Sequence, residues 1–292
     1  VVSMSTWGKM ADAKKVEEKP AEIKRPEFKR VIPTETSAKL KLALHGQEKV
    51  GKTRFIMSAK APIYIIASEP GVLPLARLFP DKEIYVMDVY TPDPSEMFAV
   101  EATKTLENIE NAVKILREKA WSDPGSVGTV GVDSVTDVWK WIQSWMKTEI
   151  LKIDKTARVK QQWDWQYAND KYQNIVMQLL SLPCNVILTG QDKQEYVKDA
   201  DGKWVPADYI PRWQGQTGYW VDIIMAFSKI KDKQGKTRYM AEIEDSRHMD
   251  EDLEPLAGIQ MENPTFDKLV EILKRKKEPE KKELEKKESE VK

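Results

Sequence analysis

The chain of 292 residues is 41% hydrophobic and 32% charged, which supplies a sizeable core and excludes disorder along the whole length. Its 47 basic side chains balance 47 acidic ones, and residues 37–273 hold 30 basic against 35 acidic, so a global field attracting nucleic acid is excluded and any such binding needs a local patch. The single cysteine, Cys184, rules out an intramolecular disulfide, and no run approaches the roughly 18 apolar residues of a membrane span.

Residues 1–36 are rich in Lys and Glu, are interrupted by Pro20, Pro26 and Pro33, and lack an apolar h-region. That composition predicts a mobile charged arm without an export signal, and hence a reducing, cytoplasmic setting. Leu40 to His45 reads as the first strand, followed by a glycine turn and a short helix. Ile63–Ala67 and Ile84–Val89 read as the next two strands. Leu106, Ile109, Val113 and Leu116 share one helical face, and that helix leads into a small, apolar strand over Val127–Val132. Trp139, Ile142, Met146 and Ile150 repeat at helical spacing, and Trp165–Leu182 gives another helix, stopped by Pro183. Asn185–Thr189 has the character of a buried strand, and Asp199 to Gly202 that of a hairpin turn. Asp222–Ser228 and Thr237–Ile243 are strands joined through a glycine-containing turn at Asp232–Lys236. Residues 274–292 are charged at 15 of 19 positions with no apolar face, which predicts a solvated tail. Between arm and tail, residues 37–273 are expected to form one α/β domain, with a mainly parallel central sheet flanked by helices and ending in a β-hairpin.

Gly46-Gln47-Glu48-Lys49-Val50-Gly51-Lys52-Thr53 fits the phosphate-binding pattern G-x-x-x-x-G-K-[ST], placed after a strand and opening a helix. The glycines let successive backbone N–H groups turn toward phosphate oxygens, Lys52 reaches the β- and γ-phosphates of ATP, and Thr53 offers a hydroxyl to Mg²⁺. Asp133, directly after the apolar Val130-Gly131-Val132, suits an aspartate holding Mg²⁺ through water; capping the helix that begins near Ser134 is its other reading. Glu69 follows the second strand. It could activate the attacking water if that strand lies beside the Asp133 strand, or be an ordinary turn residue in Ser68-Glu69-Pro70-Gly71.

Taken in order, this cradle, Tyr64-Ile65-Ile66-Ala67-Ser68-Glu69-Pro70-Gly71, Gly131-Val132-Asp133-Ser134-Val135 and Val186-Ile187-Leu188-Thr189-Gly190-Gln191 resemble the motifs of RecA-like P-loop ATPases, in particular phage-type nucleotide-binding proteins that include single-strand-annealing ATPases. The likeness spans roughly residues 38–250 and extends to Trp165-Gln166-Tyr167-Ala168-Asn169-Asp170. It implies a RecA-like fold, Mg²⁺-dependent ATP hydrolysis, single-stranded DNA as partner, assembly into a homo-oligomer, and a role in recombination or replication of a virus or mobile element. It also implies that Glu69 is the catalytic base, that Gln191 senses the γ-phosphate, and that Arg247, after a late strand, is a basic finger acting on a neighbouring subunit.

Other readings stand beside these. Gln191 could pair with neighbouring backbone, and Arg247 could form a surface ion pair with Glu244 or Asp245. Lys155, Arg158 and Lys160 lie where RecA-like proteins place a DNA-facing loop, though a solvated basic loop has the same composition. Trp204 and Trp213 could each stack on an unpaired base or pack into the core of a long loop. Trp139, Trp145 and Trp163 are expected in core or subunit contacts. His45 and His248 have no clustered partners in sequence, so zinc is not expected. A different functional class is a nucleotide-gated protein-binding or regulatory module with slow, DNA-independent hydrolysis.

Overall fold

Eight strands make the main sheet, in the order β10-β9-β8-β1-β5-β4-β2-β3. The computed structural model describes residues 39–69, 71–95, 100–199, 201–232, 234–247 and 256–274; the N-terminal arm, His248 and the tail beyond Lys274 lie outside them. The parallel part consists of β1 (Lys41–Gly46), β2 (Ile63–Ala67), β3 (Ile84–Asp88), β4 (Thr129–Asp133), β5 (Asn185–Thr189) and β8 (Ile223–Lys231). β9 (Thr237–Ser246) and β10 (Gln260–Glu262) add an antiparallel edge. β1 and β5 are covered on both faces, which is why they read as continuous apolar runs instead of alternating ones. Their alternation appears in the destination of each side chain. Leu42, Leu44 and Ile187 enter the core on one face, while Ala43, Val186 and Leu188 enter the core on the other.

Helices supply the two outer layers. α3 (Ala102–Ser122), α4 (Val135–Trp145) and α5 (Trp165–Leu180) bury Leu106, Ile109, Val113, Val138, Ile142, Tyr172 and Ile175 on the first face. On the second, α1 (Lys52–Met57) brings Phe55 and Ile56 against Phe266 and Leu269 of α7 (Phe266–Lys274). Two short helices, α2 (Val72–Ala76) and α6 (Thr217–Trp220), lie in connections. The helix expected through Ile150 continues past α4 as one π-type turn, closed by the Leu151 N–H donating to the Met146 carbonyl at 2.9 Å. Among the described residues no helix is long and apolar enough to cross a membrane.

The mainly parallel α/β sheet, its flanking helices and the β8–β9 hairpin match the expected RecA-like P-loop fold. Three elements were not expected. The stretch around the Asp199–Gly202 turn forms a separate two-stranded sheet, β6 (Asp192–Lys198) and β7 (Trp204–Pro211). Most of its side chains are exposed, and a bulge at Gln194/Tyr196 breaks the period, so it carries no alternating apolar signature. The short β10 and the helix α7 were also unread, although Phe266, Leu269 and Ile272 repeat at helical spacing on a buried face.

Strand order places the site. β1 pairs with β5, β5 with β4, and β4 with β2, so Gly46, Gln191, Asp133 and Glu69 emerge at the carboxyl ends of four consecutive parallel strands. Ligands of open α/β sheets bind at that edge.

Candidate active site

The cradle is shaped by backbone that ordinary residues avoid. Gly46 has φ of +148°, and a Cβ there would lie 2.3 Å from the Phe227 carbonyl oxygen of β8, so only glycine fits this approach. Gly51 has φ of +102° and opens on the cleft, with Tyr239 Cδ1 of β9 as its nearest outside neighbour at 3.9 Å. Val50 is buried and anchors the loop. Lys52 folds back over the loop, its Nζ donating to the carbonyls of Gly46 and Gln47 at 2.7 Å each. Burial lowers the Lys52 pKa, and the carboxylates of Asp133, Asp192, Glu69 and Glu48 oppose that shift. The result is a poorly hydrated ammonium held by neutral carbonyls, which an incoming phosphate can recruit.

Asp133 sits across from Thr53. The Thr53 hydroxyl donates to Asp133 Oδ2 at 2.5 Å, and the buried Thr189 hydroxyl of β5 donates to Oδ1. Both carboxylate oxygens are thus engaged, and no side chain caps α4, so the capping reading of Asp133 is corrected. Thr53 and Asp133 are the pair that could share a divalent cation.

β2 and β4 are neighbours, with Ala67 opposite Asp133, which was the condition for Glu69 to reach the site. The Gln191 side-chain amide donates to Glu69 Oε1 at 3.0 Å, while the Gln191 backbone N–H donates to Thr136 Oγ1 at 2.9 Å. The proposed base and the proposed sensor therefore touch. Partial burial raises the Glu69 pKa, and the nearby Asp137 and Asp133 carboxylates push it further, against Lys140. Asp137 was missed in sequence. It accepts from Ser68 at 3.0 Å, Ser134 at 2.7 Å and Lys140 at 2.8 Å, fixing the wall behind Glu69.

These groups line one open cleft of about 1220 Å³, whose far wall is made by Tyr209, Lys229, Tyr239, Asn263 and Pro264. The other sequence candidates lie elsewhere. Arg247 ends β9 beside Asp222, with Ser246 opposite Ile223 and Ile223 beside Leu42, so it occupies the sheet edge opposite the cradle of its own chain. Its guanidinium donates to the Tyr219 carbonyl and lies 3.8 Å from Asp222, not against Glu244 or Asp245. Lys155, Arg158 and Lys160 are on the segment before α5, and none lines the cleft. Trp204 is 66% exposed, with Lys198 Nζ 5.3 Å from its ring centroid. Trp213 instead packs on the core and against His45 and Gly190, where a Cβ at Gly190 would come within 2.6 Å of its ring. That packing removes Trp213 from the base-stacking candidates. Trp163, expected in a contact, is 70% exposed.

The AAA domain family matches residues 38–249, most of the chain. The chain belongs to the AAA domain family. Gly46–Thr53, Glu69, Asp133 and Gln191 all fall within the matched span of this AAA domain, which is a P-loop nucleotide-binding unit. Among solved structures, one ATPase domain is similar at 11% identity over 77% of this chain and 80% of that chain, with a TM-score of 0.39. No curated protein matches.

Proposed function

We propose that this AAA domain is a Mg²⁺-dependent ATPase whose turnover is coupled to single-stranded DNA, in recombination or replication of a virus or mobile element. The observation that carries the ATPase reading is the convergence of Lys52, Asp133, Glu69 and Gln191 at adjacent strand ends, with Glu69 and Gln191 already hydrogen bonded. Mg²⁺, when bound with nucleotide, neutralises charge developing on the phosphates, and Thr53 and Asp133 would hold it. Lys52 exchanges the Gly46 and Gln47 carbonyls for phosphate oxygens. Glu69, with a raised pKa, accepts a proton from water at its carboxylate. Gln191 holds Glu69 in place and stands where a γ-phosphate can compete for its amide.

Coupling to DNA is supported by continuity of chain. Gln191 is followed directly by β6, whose hairpin exposes Tyr196 and Trp204 beside Lys198. Aromatic faces next to lysine suit unpaired bases and their phosphates. Lys155, Arg158 and Lys160 add a second basic segment. Because Arg247 is remote from its own cradle, its role as a finger requires a second copy of the chain. The test is the ATPase rate with and without single-stranded DNA at fixed low salt. Stimulation fits this reading. Turnover that DNA leaves unchanged fits the regulatory module instead, for which the exposed Tyr196, Val197, Trp204 and Tyr209 would be the protein-binding face.

A further inference from the structure

We infer that His45 is a positioning residue: by clamping Asp192 and Glu244 at once, it fixes the chain segment that presents Gln191 to Glu69. The inference rests on the ATPase reading and adds to it a part for a residue outside the cradle. His45 is 2% exposed and ends the buried run of β1 immediately before Gly46. Its Nδ1 lies 2.8 Å from Asp192 Oδ1 and its Nε2 lies 2.7 Å from Glu244 Oε2. Ionised carboxylates only accept hydrogen bonds, so both ring nitrogens carry protons and the ring is an imidazolium.

Glu244 reaches the ring through a local irregularity. Ile224 pairs with Asp245 and Met225 pairs with Ile243, which leaves Glu244 as the extra residue of a β-bulge. Bulges re-aim side chains, and this one turns a carboxylate of β9 toward β1. The edge of Trp213 closes another side at 5.6 Å between ring centroids, and the same indole presses on Gly190. Four segments therefore meet at one ring: the end of β1, the Gly190–Asp192 strand exit, the β9 bulge and the Trp213 loop. Asp192 also lines the nucleotide cleft, and its charge acts on Lys52. Without His45, that carboxylate is unpaired beside a site that receives polyphosphate, and the chain around Gln191 loses its anchor to the cradle strand.

The test compares wild type, His45→Gln, Asp192→Asn and the double variant in the full chain. Each single variant is expected to lower kcat about tenfold while leaving KM for ATP within about twofold, because the cradle contacts survive. The double variant should lose no more than either single one, since the pair acts as a unit. Wild-type kcat in His45→Gln, or losses that multiply in the double variant, would overturn the inference. A readout on the unmodified chain keeps the test open if a variant does not fold. The chain has two histidines, so the His45 ring resonances can be followed by NMR during titration with a non-hydrolysable ATP analogue. A shift of the ring nitrogens is expected; unchanged ring resonances with nucleotide bound contradict the inference. If wild type binds but does not hydrolyse ATP, the ATPase reading fails while the ring titration still judges the link.

Discussion

Replacing His45 with Gln separates two forms of the protein by a proton as well as by a side chain. Burial disfavours the charged ring, but bonds to Asp192 and Glu244 outweigh it and raise the pKa from 6.5 to about 9. The folded state therefore holds this proton more tightly than the unfolded chain. Its stabilisation is fully present below pH 6.5, declines as pH rises, and is lost above about 9. A shift of that size corresponds to about 3 kcal/mol, and because the Glu244 side chain is 45% exposed, solvent screening lowers the expected value to about 2 kcal/mol. Urea unfolding of wild type and His45→Gln at about pH 6 and about pH 9.5 measures it, since other titrations are common to both proteins and cancel. The stability gap between the two should shrink by about 2 kcal/mol at the higher pH. An equal gap at both pH values would show that the ring is not held as an imidazolium, and the clamp argument would be refuted.

Glu69→Gln should retain nucleotide affinity and lose most turnover, roughly 100-fold, because only proton acceptance is removed. The acidic limb of the wild-type pH–rate profile should lie above the usual 4.5 of a glutamate, since the base works deprotonated and its pKa is raised. Trp204→Ala should weaken single-stranded DNA binding about tenfold and leave basal turnover unchanged, as read by fluorescence anisotropy and phosphate release. Trp213→Ala should instead lower the melting temperature, because its ring is packed on His45 and Gly190. Arg247→Ala should cut turnover with nearly intact nucleotide affinity, and mixing it with Lys52→Ala should restore part of the activity; a mixture no better than its components leaves Arg247 as a partner of Asp222 alone.

Much of the sheet was legible because its strands are buried on both faces, and burial writes itself as apolar runs: Leu40–His45, Ile63–Ala67 and Asn185–Thr189 each mark a strand of the sheet. The cradle was legible because phosphate binding needs residue types at fixed spacing within eight residues. The His45 clamp was not, because its partners stand 147 and 199 residues away and one of them is aimed by a bulge. The β6–β7 hairpin escaped for the opposite reason, being exposed along most of both strands. Its turn could be read from Asp199 and Gly202, but its strands carry no buried face to impose a period. Trp204 and Trp213 show the same limit: two tryptophans near Gly and Pro look alike in sequence, and only packing separates a solvent-facing indole from one pressed against Gly190.

The most direct test of the central claim is steady-state phosphate release from ATP by the full chain with Mg²⁺, for wild type and Lys52→Ala, each with and without single-stranded DNA. The account predicts turnover in wild type that DNA accelerates, and none in Lys52→Ala under either condition, because Lys52 is the cation that holds the Gly46 and Gln47 carbonyls where the phosphates would lie. Equal turnover in wild type and Lys52→Ala would contradict it.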